Sequence, residues 1–165
     1  MTATTPARLL LDGHCLIVLE RTLAASAPEE GCALLLGDRH QSTLRIQRIW
    51  PCRNVWQPAA ERQRRFSLDP REQLLAQRWS RSRGMQVLGA AHSHPSSAAV
   101  PSSTDRQLCI GPTLMLIRSG LNRGLPALRA WWMPENDGGA EPAQRPQELP
   151  IELLPAAPGA GHLGE

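Results

Sequence analysis

An α/β sandwich built around one sheet is the fold class this sequence predicts, and three observations predict it. Strand-sized apolar or alternating runs recur along the chain, and stretches with helical spacing and end signals fall between them. A length of 165 residues with 41% hydrophobic side chains is also enough for one core.

The elements follow in order. Arg8–Leu11 reads as a short strand, followed by a helix over roughly His14–Ala25 that Ser26-Ala27-Pro28 ends. Gly31–Gly37 is a short apolar strand, and Thr43–Trp50 alternates as a half-buried strand does. Pro51–Arg65 is loop-like. Asp69-Pro70 is a helix start, a capping residue followed by proline in the first turn, with Leu74, Leu75 and Trp79 expected on one apolar face. Gly84 stops that helix, and Met85–Ala91 is a buried strand. A loop leads to a short helix near Ser102–Cys109, and strands are expected near Thr113–Arg118 and Leu128–Met133.

From Pro134 the composition changes: residues 134–165 hold six Pro and five Gly among acids and alanines, which bury too little apolar surface to offset the entropy of ordering them. The expected organisation is a folded domain over 1–133 and a mostly flexible acidic tail over 134–165, with Leu149–Leu154 as the one stretch able to dock as a strand or turn. No apolar run reaches the ~20 residues of a membrane-spanning helix. The start of the chain has neither a basic region nor a long apolar stretch, so a soluble cytoplasmic domain is expected. The four cysteines form no CxxC pair, which excludes a thiolate zinc finger. All 18 cationic residues are arginine, and they are unevenly placed: residues 39–83 carry a balance of +8, whereas 1–38 carry −3 and 134–165 carry −5. Such a basic middle can steer an acidic partner. One Phe and no Tyr leave little material for base stacking, so nucleic acid is not expected as a partner.

The informative stretch is His92-Ser93-His94-Pro95, directly after the apolar strand. Side chains alternate along an extended chain, so His92 and His94 project to one side, ~7 Å apart along the strand, and can converge on one divalent ion. Asp105 follows eleven residues after His94, far enough for a loop to fold back and present its carboxylate. Two histidines and one carboxylate leave a fourth position for water, the pattern of a catalytic zinc site, where the pKa of that water falls towards ~7. Ser102 and Asp105 read as a helix cap and an acid in the first turn, and they share a face. A proton acceptor is also needed, and Glu29 and Glu30 are both candidates.

Taken together these residues resemble the JAMM (MPN+) metallopeptidases. That family's signature is an upstream glutamate, then His-Ser/Thr-His-Pro, with a serine eight and an aspartate eleven residues after the second histidine. Here those places hold Glu30, His92-Ser93-His94-Pro95, Ser102 and Asp105. The resemblance runs from about Leu9 to Trp132 and takes in Pro28-Glu29-Glu30-Gly31-Cys32, Pro51-x-x-Asn54, the helix at Asp69-Pro70 and the turn Pro101–Asp105. One departure is that glycine precedes Cys32, where bacterial members often have it after the cysteine. The resemblance implies a cytidine-deaminase-like fold with one mixed central sheet flanked by helices, and Zn²⁺ held by His92, His94 and Asp105. It also implies Glu30, rather than Glu29, as general acid/base and Ser102 as hydrogen-bond donor to the oxyanion.

The chain resembles the compact bacterial branch, whose members act on small ubiquitin-like sulfur-carrier proteins. The implied activity is hydrolysis of an amide or isopeptide bond at a carrier's C-terminal Gly-Gly, or release of a cysteine adduct. An extended carrier tail paired to a sheet edge is one expected mode of binding. No membrane partner is expected, and self-association stays possible. The competing class is a non-catalytic MPN-type scaffold, although such relatives usually lose a ligand and here each ligand position is filled. A Cys–His enzyme is disfavoured because Cys32 sits inside an apolar strand, and Cys15, Cys52 and Cys109 read as small buried hydrophobes. Trp50, Trp131 and Trp132 are expected at the core or its rim, and His14, His40 and His162 at the surface.

Overall fold

The computed structural model describes residues 4–121, 127–136 and 144–155. Its elements in chain order are β1 (Arg8–Asp12), α1 (Gly13–Ala24), β2 (Cys32–His40), β3 (Thr43–Cys52), α2 (Pro70–Arg81), β4 (Gln86–His94), α3 (Ser103–Leu108), β5 (Thr113–Ser119), β6 (Leu128–Met133), β7 (Gln147–Leu149) and β8 (Ile151–Leu154). A single 3₁₀ turn, Ala59–Glu61, interrupts the loop between β3 and α2. The strands form one eight-stranded sheet in the order β7-β6-β5-β4-β2-β3-β1-β8. β4 runs parallel to β5 and β1 parallel to β3 and β8, and the other pairings are antiparallel. The α/β class with one mixed sheet flanked by helices is what the structure has.

The main core lies between α1 and one face of the sheet. Cys15, Leu19 and Leu23 recur at a helical spacing along α1 and meet Leu9, Leu11, Leu35, Ile46, Leu114 and Leu116. Each fully buried leucine contributes roughly 1.5–3 kcal/mol from leaving water. The opposite face carries α2, held by Ala76 and Ser80 against Leu34 and Leu36, with Trp50 and Trp79 at its rim. Asp69 caps α2 by accepting from the Arg71 N–H, as the sequence predicts, and Gly84 (φ +68°) ends the chain's path beyond it.

The expected apolar face of α2 holds at Trp79, which packs at the rim of the core, and is overturned at the two leucines. Leu74 and Leu75 are 49% and 50% exposed, and the buried residues are Ala76 and Ser80. Ala76 and Ser80 stand four apart on one helix face, and their small side chains let the helix axis approach the sheet closely.

β7 and β8 are separated by Pro150 alone, yet they occupy opposite ends of the sheet order. The segment Gln147–Leu154 therefore pairs β6 at one end and β1 at the other, with the Leu9 N–H donating to the Pro150 carbonyl between them. The sheet is rolled, and this sash covers both of its outer edges. Leu149, first residue of the stretch singled out in the tail, is 2% exposed in the main core. The other tail residues at 137–143 and 156–165, including His162, lie outside the described residues.

Candidate metal centre

β4 supplies both histidines because the strand continues through them: Ala91, His92, Ser93 and His94 are all buried strand residues. His92 is paired to Cys32 on one side and Ile117 on the other, so the backbone at the histidines is fixed from both neighbours. α3 supplies Asp105. The Ser102 side chain accepts from the Asp105 N–H (3.0 Å) while Asp105 Oδ2 accepts from the Ser102 N–H (2.9 Å), a reciprocal capping box that holds the carboxylate at the helix start.

The three side chains converge. His92 Nε2 lies 3.0 Å from His94 Nε2, and Asp105 Oδ2 lies 3.1 Å from the first and 3.2 Å from the second. An ion with bonds of ~2.0–2.1 Å in a tetrahedral shell sets its ligand atoms ~3.3 Å apart, so this triangle is close to one face of such a shell. Two imidazoles and a carboxylate are also the donor types a borderline divalent metal accepts. His92, His94 and Asp105 thus form a buried group that could hold a metal ion. His94 Nδ1 is 2.8 Å from the Ala98 carbonyl, to which it donates, and this orients the ring with Nε2 turned to the centre. Phe66 stacks on the His92 ring at 4.2 Å between centroids and 20° between planes.

The carboxylates are tuned differently. Burial would raise Asp105, but hydrogen bonds from His92, His94 and the Ser102 N–H hold it well below the usual carboxylate range. Burial lowers His92; at His94 burial is again the largest single influence, but the bonds to Asp105 and the Ala98 carbonyl, with the charges of Asp105 and Glu30, together overcome it and raise it. Glu30 lies just before β2 and is 4% exposed; burial, with a smaller contribution from Asp105, pushes it up to about 8 against the pull of His94. Its Oε2 has no hydrogen-bond partner among the described residues. Glu29 is half-buried and makes a turn bond to Ser26.

The backbone around Glu30 is clamped from two directions. Ser93, between the two histidines, accepts from the Gly31 N–H (2.8 Å), tying the glutamate segment to β4. The loop 53–69 forms a strap: the Glu30 N–H donates to the Arg62 carbonyl (2.7 Å), and Asn54 Nδ2 donates to the Glu30 carbonyl (3.0 Å) and the Arg65 carbonyl (2.8 Å). Asn54 Oδ1 accepts from the Trp56 and Ser67 N–H groups. Gly31 is required here because a Cβ would stand 2.7 Å from the Leu23 carbonyl oxygen, which explains a glycine before Cys32.

Of the residues expected at the site, His92, His94, Ser102 and Asp105 are brought together, and the charges of His94 and Asp105 act on Glu30. Phe66, the Ala98 carbonyl and Ser93 as a tie were not foreseen; Phe66 carried one available signal, as the only phenylalanine in the chain. A cleft of about 400 Å³ opens beside Asp105, with Phe66 and Leu68 from the strap, Gln73 from α2 and Thr104 and Leu108 from α3 among its walls.

β4 itself offers no free edge to a carrier tail, since β2 and β5 occupy both of its sides. The expectation for the cysteines is corrected. Cys52 and Cys109 are only partly buried, although Cys15 and Cys32 are buried as expected. Burial, with neighbouring charges, pushes Cys32 up to about 12 and Cys52 and Cys109 up to about 11, leaving little thiolate at neutral pH. His14 and His40 are exposed, and Trp50, Trp131 and Trp132 lie half-buried at the core rim.

Comparison with known proteins gives a consistent picture. Residues 15–134 match the family model of prokaryotic homologs of the JAB domain. A desampylase from Haloferax volcanii is 37% identical over 89 residues, 54% of this chain; the match spans 60% of that relative's length. A solution structure from Desulfitobacterium hafniense is 30% identical with a TM-score of 0.74, covering 89% of this chain and 93% of the other. A JAB1/MPN domain protein from Archaeoglobus fulgidus, 20% identical with a TM-score of 0.50 over 90% of this chain and 98% of its own, shares the fold. Among the described residues no helix is long and apolar enough to cross a membrane.

Proposed function

From the premise that this chain belongs to the prokaryotic homologs of the JAB domain, we propose that it is a zinc-dependent peptidase. Its substrate is the amide or isopeptide bond at the C-terminal Gly-Gly of a small ubiquitin-like sulfur-carrier or modifier protein, or the cysteine adduct of such a carrier. The observation that carries this reading is the buried triangle of His92, His94 and Asp105, 3.0–3.2 Å on a side, beside a buried glutamate with an unpartnered carboxylate oxygen. The match to a desampylase over part of its length supports the substrate class.

His92, His94 and Asp105 would hold the ion, and zinc bound there would polarise a carbonyl and lower the pKa of water towards ~7. Glu30 takes the proton of the attacking water on its carboxylate and returns it to the leaving amine, and burial suits it to holding a proton near neutral pH. Ser102 uses its oxygen lone pair on the Asp105 N–H, so its hydroxyl proton is available to donate to the developing oxyanion. The carrier tail lies in the cleft beside Asp105, where glycines pass the centre without a side-chain clash.

Metal analysis of the purified protein with and without His92→Ala tests this, followed by incubation with a ubiquitin-like carrier extended beyond Gly-Gly. The expected result is one zinc per chain, lost in the variant. Glu30→Gln should retain the zinc and lose ~10²–10⁴ in cleavage rate, and Ser102→Ala ~10²–10³. A wild-type protein that binds no metal under any condition would overturn the reading in favour of the scaffold.

A further inference from the structure

We infer that the outward face of α2, together with the neighbouring arginines of the strap, is a docking surface for an acidic face of the substrate protein's folded body. The inference rests on the proposed peptidase reading for its substrate, and on different residues for its surface.

Leu74 and Leu75 are half-exposed on a helix whose buried side is complete without them. On that outward face Arg71 precedes Leu74 by three residues and Arg78 follows it by four, so both are its neighbours on the helix surface. The result is an apolar centre with a cationic border, the anatomy of a protein-binding surface rather than of a merely solvated helix. Among the described residues the nearby carboxylates make no ion pair with the border: Asp69 accepts from the Arg71 backbone N–H, Glu72 accepts from the Trp50 indole at 2.7 Å, and Glu61 pairs with Arg65. Among the described residues no ion pair involves Arg64, Arg71 or Arg78. This local excess of positive charge is the folded form of the +8 balance of residues 39–83.

The helix that carries this surface also borders the cleft. Gln73 of α2 and Arg65 of the strap form part of its wall, and the adjacent strap residue Phe66 lies on His92. A chain end that reaches the metal ligands through this cleft brings the domain it belongs to alongside α2. The partner that fits is therefore a protein with carboxylates around a small apolar spot. Half-exposed leucines at the centre favour a protein over a nucleic acid, to whose phosphates they contribute nothing.

Two substrates separate docking from chemistry: an acidic single-domain ubiquitin-like protein carrying a fluorescent leaving group after its Gly-Gly, and its C-terminal six-residue peptide with the same group. Arg71→Glu/Arg78→Glu should lower kcat/KM on the protein about tenfold or more, mainly through KM, and leave the peptide within twofold. Arg71→Lys/Arg78→Lys should keep most of the protein activity, and Leu74→Ser should lose part of it. Raising salt from 50 to 500 mM should slow wild-type cleavage of the protein far more than of the peptide. Equal losses on both substrates, or none on the protein, overturn the docking surface. If wild type cleaves neither substrate, the peptidase reading fails by itself, and fluorescence anisotropy of the labelled protein still decides. Binding weakened tenfold by the double reversal supports the surface; unchanged binding, or tighter binding of a labelled single-stranded oligonucleotide at 150 mM salt, overturns it.

Discussion

At Glu30 a carboxyl group has been taken out of water without a donor among the described residues for one of its oxygens, and burial pushes its pKa up to about 8. A carboxyl whose folded pKa lies above its unfolded value of 4.5 binds more protons in the folded state between those two values. Its stabilising share is complete below pH 4.5 and is lost as pH rises towards 8. Asp105 has the opposite sign: its folded pKa is lowered, so its share is present above its ordinary value of 3.8 and lost as pH falls below it. The expected outcome is that metal-free Glu30→Gln is more stable than metal-free wild type, by a margin that widens from pH 5 to pH 8. Paired thermal melts across that range check it, and a margin independent of pH would contradict the buried, protonated carboxyl. At this scale the sequence was most informative for the ligands. His92, His94, Ser102 and Asp105 lie within fourteen residues, and strand alternation plus one helix cap determine their geometry.

Among the elements, the strap is the part of the site that the sequence marked only at Asn54, through the family resemblance. Its loop looks unstructured in sequence, yet the single Asn54 carboxamide joins Glu30, Arg65, Trp56 and Ser67, and the same loop lays Phe66 over His92. Asn54→Ala strips several partly buried backbone groups of their partner at once. A loss of about 2–4 kcal/mol in urea unfolding is expected, since each unsatisfied group costs about 1–3 kcal/mol and some regain water. A loss under 0.5 kcal/mol would show that the strap holds without it. Glu30 needs the β2–β4 register, with Cys32 opposite His92, to come near the histidines. That pairing spans sixty residues, and only the resemblance to a known family singled out this glutamate over Glu29. α2 was legible in its limits and misread in its face: leucines are the obvious candidates for burial, but close approach to the sheet selects Ala76 and Ser80.

Over the whole molecule, the sash at Gln147–Leu154 closes the sheet. Unpaired strand edges invite association with other chains, and here one segment covers both ends, reinforced by Arg8–Glu152 (3.1 Å) and Arg129–Glu148 (2.7 Å). The composition of the region argued for disorder, and Leu149–Leu154 stood out only as an apolar island. Where it docks depends on how far the sheet rolls, which is a property of all its strands together. Ending the chain after Pro146 exposes the edges of β1 and β6 and takes Leu149 out of the main core. Lower stability and concentration-dependent association are expected in light scattering, and a truncated chain that stays monomeric with an unchanged melting temperature would contradict this role.

The coherence of site and fold comes down to whether one ion sits where the two strand histidines and the helix-start aspartate converge. Anomalous diffraction from crystals of zinc-loaded protein, recorded on both sides of the zinc absorption edge, measures this directly. The account predicts a single strong peak ~2.0–2.2 Å from His92 Nε2, His94 Nε2 and an Asp105 carboxylate oxygen. A peak elsewhere, or density showing the three side chains bonded only to one another after zinc loading, would contradict it.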